Sequence, residues 1–194
     1  MKKIFDVIQE RRSIRKYEDK EVPVEKIKRV LHAANWAPSN GNSQPWNFIV
    51  LKGEPRKQIC AVFSEWAQDY IPKAPYIPAE KRGPMLEYAK DFGGAPVHIV
   101  VTYETDEDLI KTEEALMAAS AAIQNLCLAA YEEGLGTVWI AGEVAYKEAT
   151  KEIIKLPKNQ KIAGIIPIGY PAMSPPVPER QDPDLTQKVT WLGF

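Results

Sequence analysis

The pattern of apolar positions along the chain predicts a helix-rich protein. The predicted helices are residues 2–12, the stretch between Pro23 and Pro38, a stretch that follows Gly53, residues 112–133 and residues 145–154. In the first three, apolar residues recur three and four positions apart, which places them on one helix face. The fourth is small and apolar nearly all round, so we expect it at the centre of the fold. Gly134 directly after it predicts a left-handed helix cap.

Four shorter runs have the composition of strands: residues 46–51, 96–102, 137–141 and 162–168. The second is almost continuously apolar, which predicts a strand buried on both faces. Four prolines break up residues 67–94, which we interpret as a loop-rich excursion with one short helix over residues 86–92. Prolines also predict an extended C-terminal arm over about residues 171–194. The alternation predicts a single α/β-type domain, residues 1–194, with a mixed sheet. A partner subunit is a reasonable surface for the arm.

Composition and charge then exclude several classes of protein. The 194 residues are 45% hydrophobic, and 25 basic against 26 acidic residues give a net charge of -1. That balance lacks the basic excess of a nucleic-acid-binding protein. Cys60 and Cys127 are too few for a disulfide scaffold and form no CxxC pair. With no signal peptide and no apolar stretch long enough to span a membrane, we expect a cytoplasmic protein that binds neither membrane nor nucleic acid.

Common catalytic and nucleotide-binding motifs are missing from the sequence. It contains no GxxxxGK[ST] loop and no HExxH, and its two histidines, His32 and His98, cannot make a histidine-rich metal site. Residues 134–136 read Gly-Leu-Gly, but they follow a helix and precede a strand, the reverse of the order in a dinucleotide fingerprint. We therefore expect both histidines to be structural and no metal to be bound.

The first candidate cluster is the run from Arg11 to Arg15, which reads Arg-Arg-Ser-Ile-Arg. Arg15 can converge with Arg11 or Arg12 and with the Ser13 hydroxyl on one anion, because guanidinium groups match phosphate oxygens bidentately. The alternative is that these cations only favour the negative end of the preceding helix. From the residues alone, both interpretations stand.

Two further segments are candidates for contact with a flat ring. The loop over residues 38–46 combines amides and hydroxyls, which suits a ring edge that alternates carbonyl oxygens and N–H groups; it is equally a connection rich in turn formers. Residues 134–142 place small residues at the end of a strand, where a flat ring can approach the backbone, or they form a helix cap and a core strand. Arg180 is a lone charge in a polar tail.

Taken together and in this order, these segments resemble the nitroreductase family of FMN-dependent oxidoreductases. The resemblance rests on RRSIR at residues 11–15, APSNGNSQPW at 37–46, GLGTVWIAG at 134–142, and IGYP followed by a proline-rich segment with Arg180. It covers nearly the whole chain. The family implies an α+β fold with a mixed sheet flanked by helices, an intertwined homodimer, and two FMN sites at the subunit interface.

The resemblance also implies roles for individual residues. Those that would hold the FMN phosphate and ribityl end are Arg11, Arg12, Ser13 and Arg15, with Arg180 closing on the phosphate from the tail. Those that would contact the flavin ring are Asn42 from the same subunit, Pro38, Ser39 and Asn40 from the partner chain, and Ile140, Ala141 and Gly142, with a backbone N–H near flavin N5. Where the family often has an Asn or Gln for the pyrimidine edge, this chain offers only Lys90. Residues 67–88 correspond to a family-variable lid over the substrate.

The implied reaction is carried by the flavin rather than by a side chain. NADH or NADPH would pass hydride to flavin N5, and an electron-poor acceptor, such as a nitroaromatic or a quinone, would then take the same place. No histidine, cysteine or serine stands in a recognisable activated pair, so we expect no catalytic side chain. Two alternatives stay open: other flavin chemistry, such as dehalogenation, substrate oxidation or flavin breakdown, and a flavin-binding or anion-binding protein without turnover.

Overall fold

A computed structural model of the chain describes residues 3–193; residues 1, 2 and 194, at the ends of the predicted first helix and arm, lie outside the described residues. Within that range the helices are α1 (Ile4–Glu10), α2 (Val24–Ala34), α3 (Glu54–Tyr70), α4 (Ala79–Asp91), α5 (Leu109–Glu132) and α6 (Glu148–Ile153). The strands are β1 (Trp46–Leu51), β2 (Val97–Glu104), β3 (Gly136–Thr137) and β4 (Gln160–Gly169). They form one sheet in the order β1-β2-β4-β3.

The sheet separates two hydrophobic cores, and the α+β class is confirmed. Helices α2 and α5 cover one face, while α3, α4 and α6 supply the core on the other. Strand β2 is buried from Val97 to Tyr103, and α5 buries eight residues, so the predictions of a doubly buried strand and a central helix are confirmed. The ladders between named strands are antiparallel. In residues 3–193 the parallel component is a single bridge between Ser13 and Thr137.

The prediction of a loop-rich excursion over residues 67–94 was wrong. Helix α3 continues to Tyr70, and α4 occupies most of the remainder. Pro78 lies at the N-cap of α4, where no helical N–H is needed, and the helix passes through Pro84. Tertiary packing stabilises it there, because the rings of Phe63 and Tyr88 meet edge to face at 6.1 Å across the two helices.

Smaller differences concern the segments on either side of residue 140. Strand β3 is shorter than predicted, and after it only Ile140 pairs with β4, through Ile165. The helix predicted over residues 145–154 is a 3-10 turn, Glu143–Ala145, followed by α6. Gly134 has φ +73°, which confirms the left-handed cap. The described part of the arm, residues 171–193, contains no helix and no strand ladder, and no helix in residues 3–193 is long and apolar enough to cross a membrane.

His98 is fully buried in β2, and we expect it to make stability pH-dependent. Burial, together with the charge of Arg56, lowers the pKa of His98 to about 3. An unfolded histidine has a pKa of about 6.5, so the unfolded chain takes up a proton that the folded chain excludes. The free energy of unfolding should therefore fall as the pH drops below about 6.5, by up to about 1.4 kcal/mol per pH unit.

Urea unfolding at several pH values, with and without His98→Leu, checks this prediction. The variant removes the titrating group, so its stability relative to the unmodified chain should increase as the pH falls from 7 towards 4. If the difference in unfolding free energy between the variant and the unmodified chain does not change with pH, His98 takes up a proton equally well in the folded and unfolded states.

Candidate functional site

Two neighbouring clefts contain six of the twelve predicted site residues. The arginine cleft, of about 620 Å³, is lined by Arg11, Arg12, Ile14, Gly136, Thr137 and the tail residues Pro171 to Val177, among others. The aromatic cleft, of about 750 Å³, is lined mainly by apolar groups, including Phe63, Trp66, Tyr88, Trp139, Ile140 and Ala141. Met173 lines both clefts, so they meet at this side chain.

The arginine cleft exists because two distant sequence segments pack directly against each other. The backbone N–H of Ile14 donates to the carbonyl of Thr137 at 2.9 Å, and Ser13 forms the parallel bridge with the same residue. A Cβ on Gly136 would lie 2.6 Å from Ile14 Cγ1 and 2.8 Å from its Cβ. Glycine at this position therefore allows the arginine-rich segment to lie flat on β3.

The two arginines of this cleft have different surroundings. Arg12 Nη1 donates to the carbonyl oxygens of Gln9 at 2.6 Å and Arg11 at 2.8 Å, so it satisfies carbonyls at the end of α1, as the helix-end alternative expects. Its Nε is buried with no hydrogen-bond partner. In the described part of the chain, the Arg11 side chain has neither a hydrogen bond nor an ion pair, while its backbone N–H donates to Val7. Two half-buried cations without a carboxylate partner favour binding of an anion here.

Arg15 lies apart from the other two arginines. It is exposed and lines the aromatic cleft, and its backbone N–H lies 3.2 Å from the sulfur of Met173. Arg11 lines the arginine cleft instead. The structure therefore does not bring Arg11 and Arg15 into one cleft, and it sets Arg15 beside the segment that includes Ile140 and Gly142.

Three aromatic residues of the second cleft, Phe63, Trp66 and Tyr88, were missed by the sequence reasoning, whereas Trp139 lies within the candidate segment 134–142. Trp139 is 39% exposed, and its indole Nε1 donates to the carbonyl of Ala163 at 3.1 Å. Trp66 and Tyr88 line the cleft from α3 and α4, and the Tyr88 hydroxyl is buried without a partner. The helical spacing of the aromatic residues on α3 was visible in the sequence, but the same spacing is typical of core residues.

The polar loop and the tail arginine do not line either cleft in the single chain. Asn40 Nδ2 donates to Glu114 at 2.8 Å, which holds the loop beside α5. Pro38 and Asn42 are exposed, and Ser39 Oγ accepts the N–H of Gln44 at 3.0 Å. Arg180 is exposed in the arm. Lys90, the substitute considered for the pyrimidine edge, is exposed and ion-paired with Glu87.

No group of three or more His, Cys, Asp or Glu residues within residues 3–193 has the arrangement of a metal site. What the geometry defines is an α+β protein with an arginine-lined cleft that meets a cleft lined by aromatic side chains. The Nitroreductase family profile matches residues 8–170. The chain therefore belongs to the nitroreductase family and is an oxidoreductase.

Individual relatives agree with this assignment. A Bacillus subtilis protein named as an NAD(P)H nitroreductase, YfhC, is 32% identical over 176 residues, 90% of this chain and 88% of that one. The crystal structure of a nitroreductase-like protein from Bacillus cereus has a TM-score of 0.81 at 31% identity, covering 100% of this chain and 98% of that chain. Iodotyrosine deiodinase, solved with FMN and 3-iodo-L-tyrosine, shares the fold at a TM-score of 0.75 and 22% identity, over 92% of this chain and 95% of that one.

Proposed function

We propose that this protein is an FMN-dependent NAD(P)H oxidoreductase that reduces an electron-poor acceptor such as a nitroaromatic or a quinone. The observation that carries the proposal is the junction of the two clefts at Met173. FMN has an anionic phosphate at one end and a flat, largely apolar ring at the other. Its two ends match the charge of the arginine cleft and the apolar lining of the aromatic cleft.

The residues of both clefts fit this cofactor. Arg11 and Arg12 would hold the phosphate, since each brings a cation with unused donors, and Ser13 lies beside them on β3. Arg15 would lie at an edge of the ring rather than at the phosphate. Residues 140–142 would lie against the ring, with small side chains at Ala141 and Gly142 that allow its close approach.

When bound, FMN would supply hydride transfer from NADH or NADPH to the acceptor. The chain's own residues would provide position and environment. The rings of Trp66 and Trp139 and the side chain of Ile140 keep water away from the ring site. Neither histidine lines either cleft, so no side chain of this chain is assigned as a proton donor or nucleophile.

The proposal includes a homodimer in which each site is completed by the partner chain. Pro38, Ser39 and Asn40 would cover the ring from the partner, while Asn42 and Arg180 would act from their own chain. Support comes from α5, where Leu109, Ile110 and Met117 are each more than 60% exposed beside the polar loop. A large exposed apolar surface next to an incomplete site is typical of a subunit interface.

We place the enzyme in the cytoplasm. Cys60 and Cys127 are both buried and unpaired, which fits a compartment that keeps thiols reduced. Burial raises the pKa of Cys60 to about 11, so its thiol is unreactive at neutral pH. Neither cysteine is assigned a role in the reaction.

Anaerobic mixing with NADH and with NADPH tests the function. The purified protein should be yellow, release FMN on denaturation, sediment as a dimer, and lose its flavin absorbance with at least one of the two reductants. Adding a nitroaromatic or a quinone should restore the absorbance, and 3-iodo-L-tyrosine in the same panel tests for dehalogenation. A colourless protein that takes up no FMN on titration would overturn the proposal.

A further inference from the structure

The wall of the aromatic cleft contributed by α3 includes Phe63 and Trp66, which belong to a stack of three rings that Tyr70 extends beyond the cleft lining. Phe63 and Trp66 lie with ring centroids 5.8 Å apart and planes at 11°, and Trp66 and Tyr70 lie 4.9 Å apart at 18°. Their spacing of three and four residues places all three on one side of the helix. Trp66 is thus held between two rings, which restricts its side chain to one orientation.

In that orientation the indole reaches the opposite side of the cleft. Trp66 Nε1 donates to Glu143 Oε2 at 2.6 Å. Glu143 directly follows Gly142, the last residue of the segment proposed to lie against the flavin ring, and both Trp66 and Glu143 line the cleft. A charge-assisted hydrogen bond therefore joins the α3 wall to the residue after the ring-facing segment, in addition to the buried core that Val144 and Ala145 share with α3.

Hydrogen bonds tie the other part of this wall, the α3–α4 connection and α4, to α3. The hydroxyls of Tyr70 and Tyr76 are in hydrogen-bond contact, which ties the end of α3 to the connection before α4. Arg82 on α4 donates to the carbonyls of Ile77 and Ala74 in the same connection. A shift of α3 away from Glu143 would consequently move the whole α3–α4 wall and widen the cleft.

We propose that Glu143 is a positioning residue which, through Trp66, sets the separation of the two walls and thereby selects flat acceptors of one ring over larger, fused-ring acceptors. This inference rests on the proposed function and deepens it. Glu143 is not assigned any contact with the reacting atoms. Loss of the hydrogen bond should let α3 move outward, so that small acceptors are held less closely and large ones are admitted.

The test uses the FMN-loaded protein and three substitutions at the two ends of the bond. Trp66→Phe keeps the ring stack but removes the donor, Glu143→Ala removes the acceptor, and Glu143→Gln keeps an acceptor oxygen. Glu148→Ala is the matched control, because it removes the same carboxylate from a surface ion pair. That pair, with Lys151, lies within α6 and does not involve α3. For each, KM and kcat are measured with 4-nitrobenzoate and with a three-ring quinone, under one fixed reductant.

Trp66→Phe and Glu143→Ala should each lower the preference in kcat/KM for the one-ring acceptor by about tenfold, mainly through KM, as expected for loss of one hydrogen bond to a charged group. A double variant that combines Trp66→Phe with Glu143→Ala should show the same preference as each single variant, because each substitution breaks the same hydrogen bond. Glu143→Gln and Glu148→Ala should keep the original preference. FMN affinity should be unchanged in Glu148→Ala, because Glu148 does not line the cleft.

Amide hydrogen exchange gives a readout that does not depend on activity. In Trp66→Phe and Glu143→Ala, exchange should become faster in residues 63–73 and 143–146, and it should stay unchanged in Glu148→Ala. An unaltered acceptor preference, or unaltered exchange in both segments, would overturn the inference. Failure of the unsubstituted protein to bind FMN would overturn the proposed function instead, and the exchange data would still decide whether the bond holds the wall.

Discussion

Replacing Arg11 with alanine should weaken FMN binding by about 10- to 150-fold, the loss expected for one hydrogen-bonded contact to a charged group. Arg11 is half-buried in the arginine cleft, and its side chain has no partner in the described part of the chain. Its charge therefore supports little of the fold by itself. The melting temperature of the cofactor-free chain should stay the same, while the additional stabilisation by FMN should shrink.

FMN titration by flavin fluorescence, with thermal melts of both forms, makes the measurement. Arg29→Ala is the matched control: it removes an equal charge from α2, where Arg29 pairs with Glu133 and lines neither cleft. It should leave FMN affinity unchanged. If Arg11→Ala and Arg29→Ala bind FMN equally well, Arg11 is not a phosphate ligand, and the helix-end interpretation of the arginine cluster would apply to it.

Gly136→Ala should damage both stability and cofactor binding. The new Cβ would lie within 3 Å of three side-chain atoms of Ile14, which is buried. Overpacking of this kind costs about 1 to 3 kcal/mol of unfolding free energy. Because the same contact holds Arg11 and Arg12 over β3, separation of the two segments should also weaken FMN binding by at least about tenfold.

Urea unfolding and FMN titration of four variants locate the cause: Gly136→Ala, Ile14→Ala, their combination, and Gly83→Ala as the control. Ile14→Ala destabilises on its own by leaving a cavity, but it removes two of the three clashing atoms, so the double variant with Gly136→Ala should be less destabilised than the sum of the singles. Gly83→Ala in α4, where a Cβ meets nothing within 4 Å, should leave FMN affinity intact. If the stability losses of Gly136→Ala and Ile14→Ala simply add in the double variant, the clash with Ile14 is not the reason why position 136 requires glycine.

Much of the architecture was predictable because local patterns and tertiary burial agree. β1 and β2, the central helix α5 and the cap at Gly134 follow from apolar periodicity and from a glycine that tolerates a left-handed conformation. Residues 67–94 show the opposite case. Considered by local sequence alone, the prolines predict that no long helix forms here. In the structure, Pro78 lies at the N-cap of α4 and Pro84 lies inside that helix, which packs against α3.

The candidate site was predictable in its residue types but not in its arrangement. The motif resemblance singled out the arginine-rich run and residues 140–142, and both line the clefts that meet at Met173, apart from Ser13, which pairs with Thr137 on β3. Chain position alone does not assign Arg11 and Arg15 to different clefts. That separation follows from how the extended segment crosses β3 and meets the tail, a contact between residues 158 positions apart.

The sequence by itself determined the family, the fold class and the residue types available to the candidate site, because these depend on composition and on order along the chain. Only the tertiary structure decided that Trp66, Tyr88 and Trp139 share a cleft, that Trp66 bonds Glu143, and that the polar loop lies outside both clefts of its own chain. The physical reason is that an aromatic residue on a helix face satisfies the same periodicity whether it fills a core or lines a cleft. Packing of distant segments, which local pattern does not encode, makes the choice.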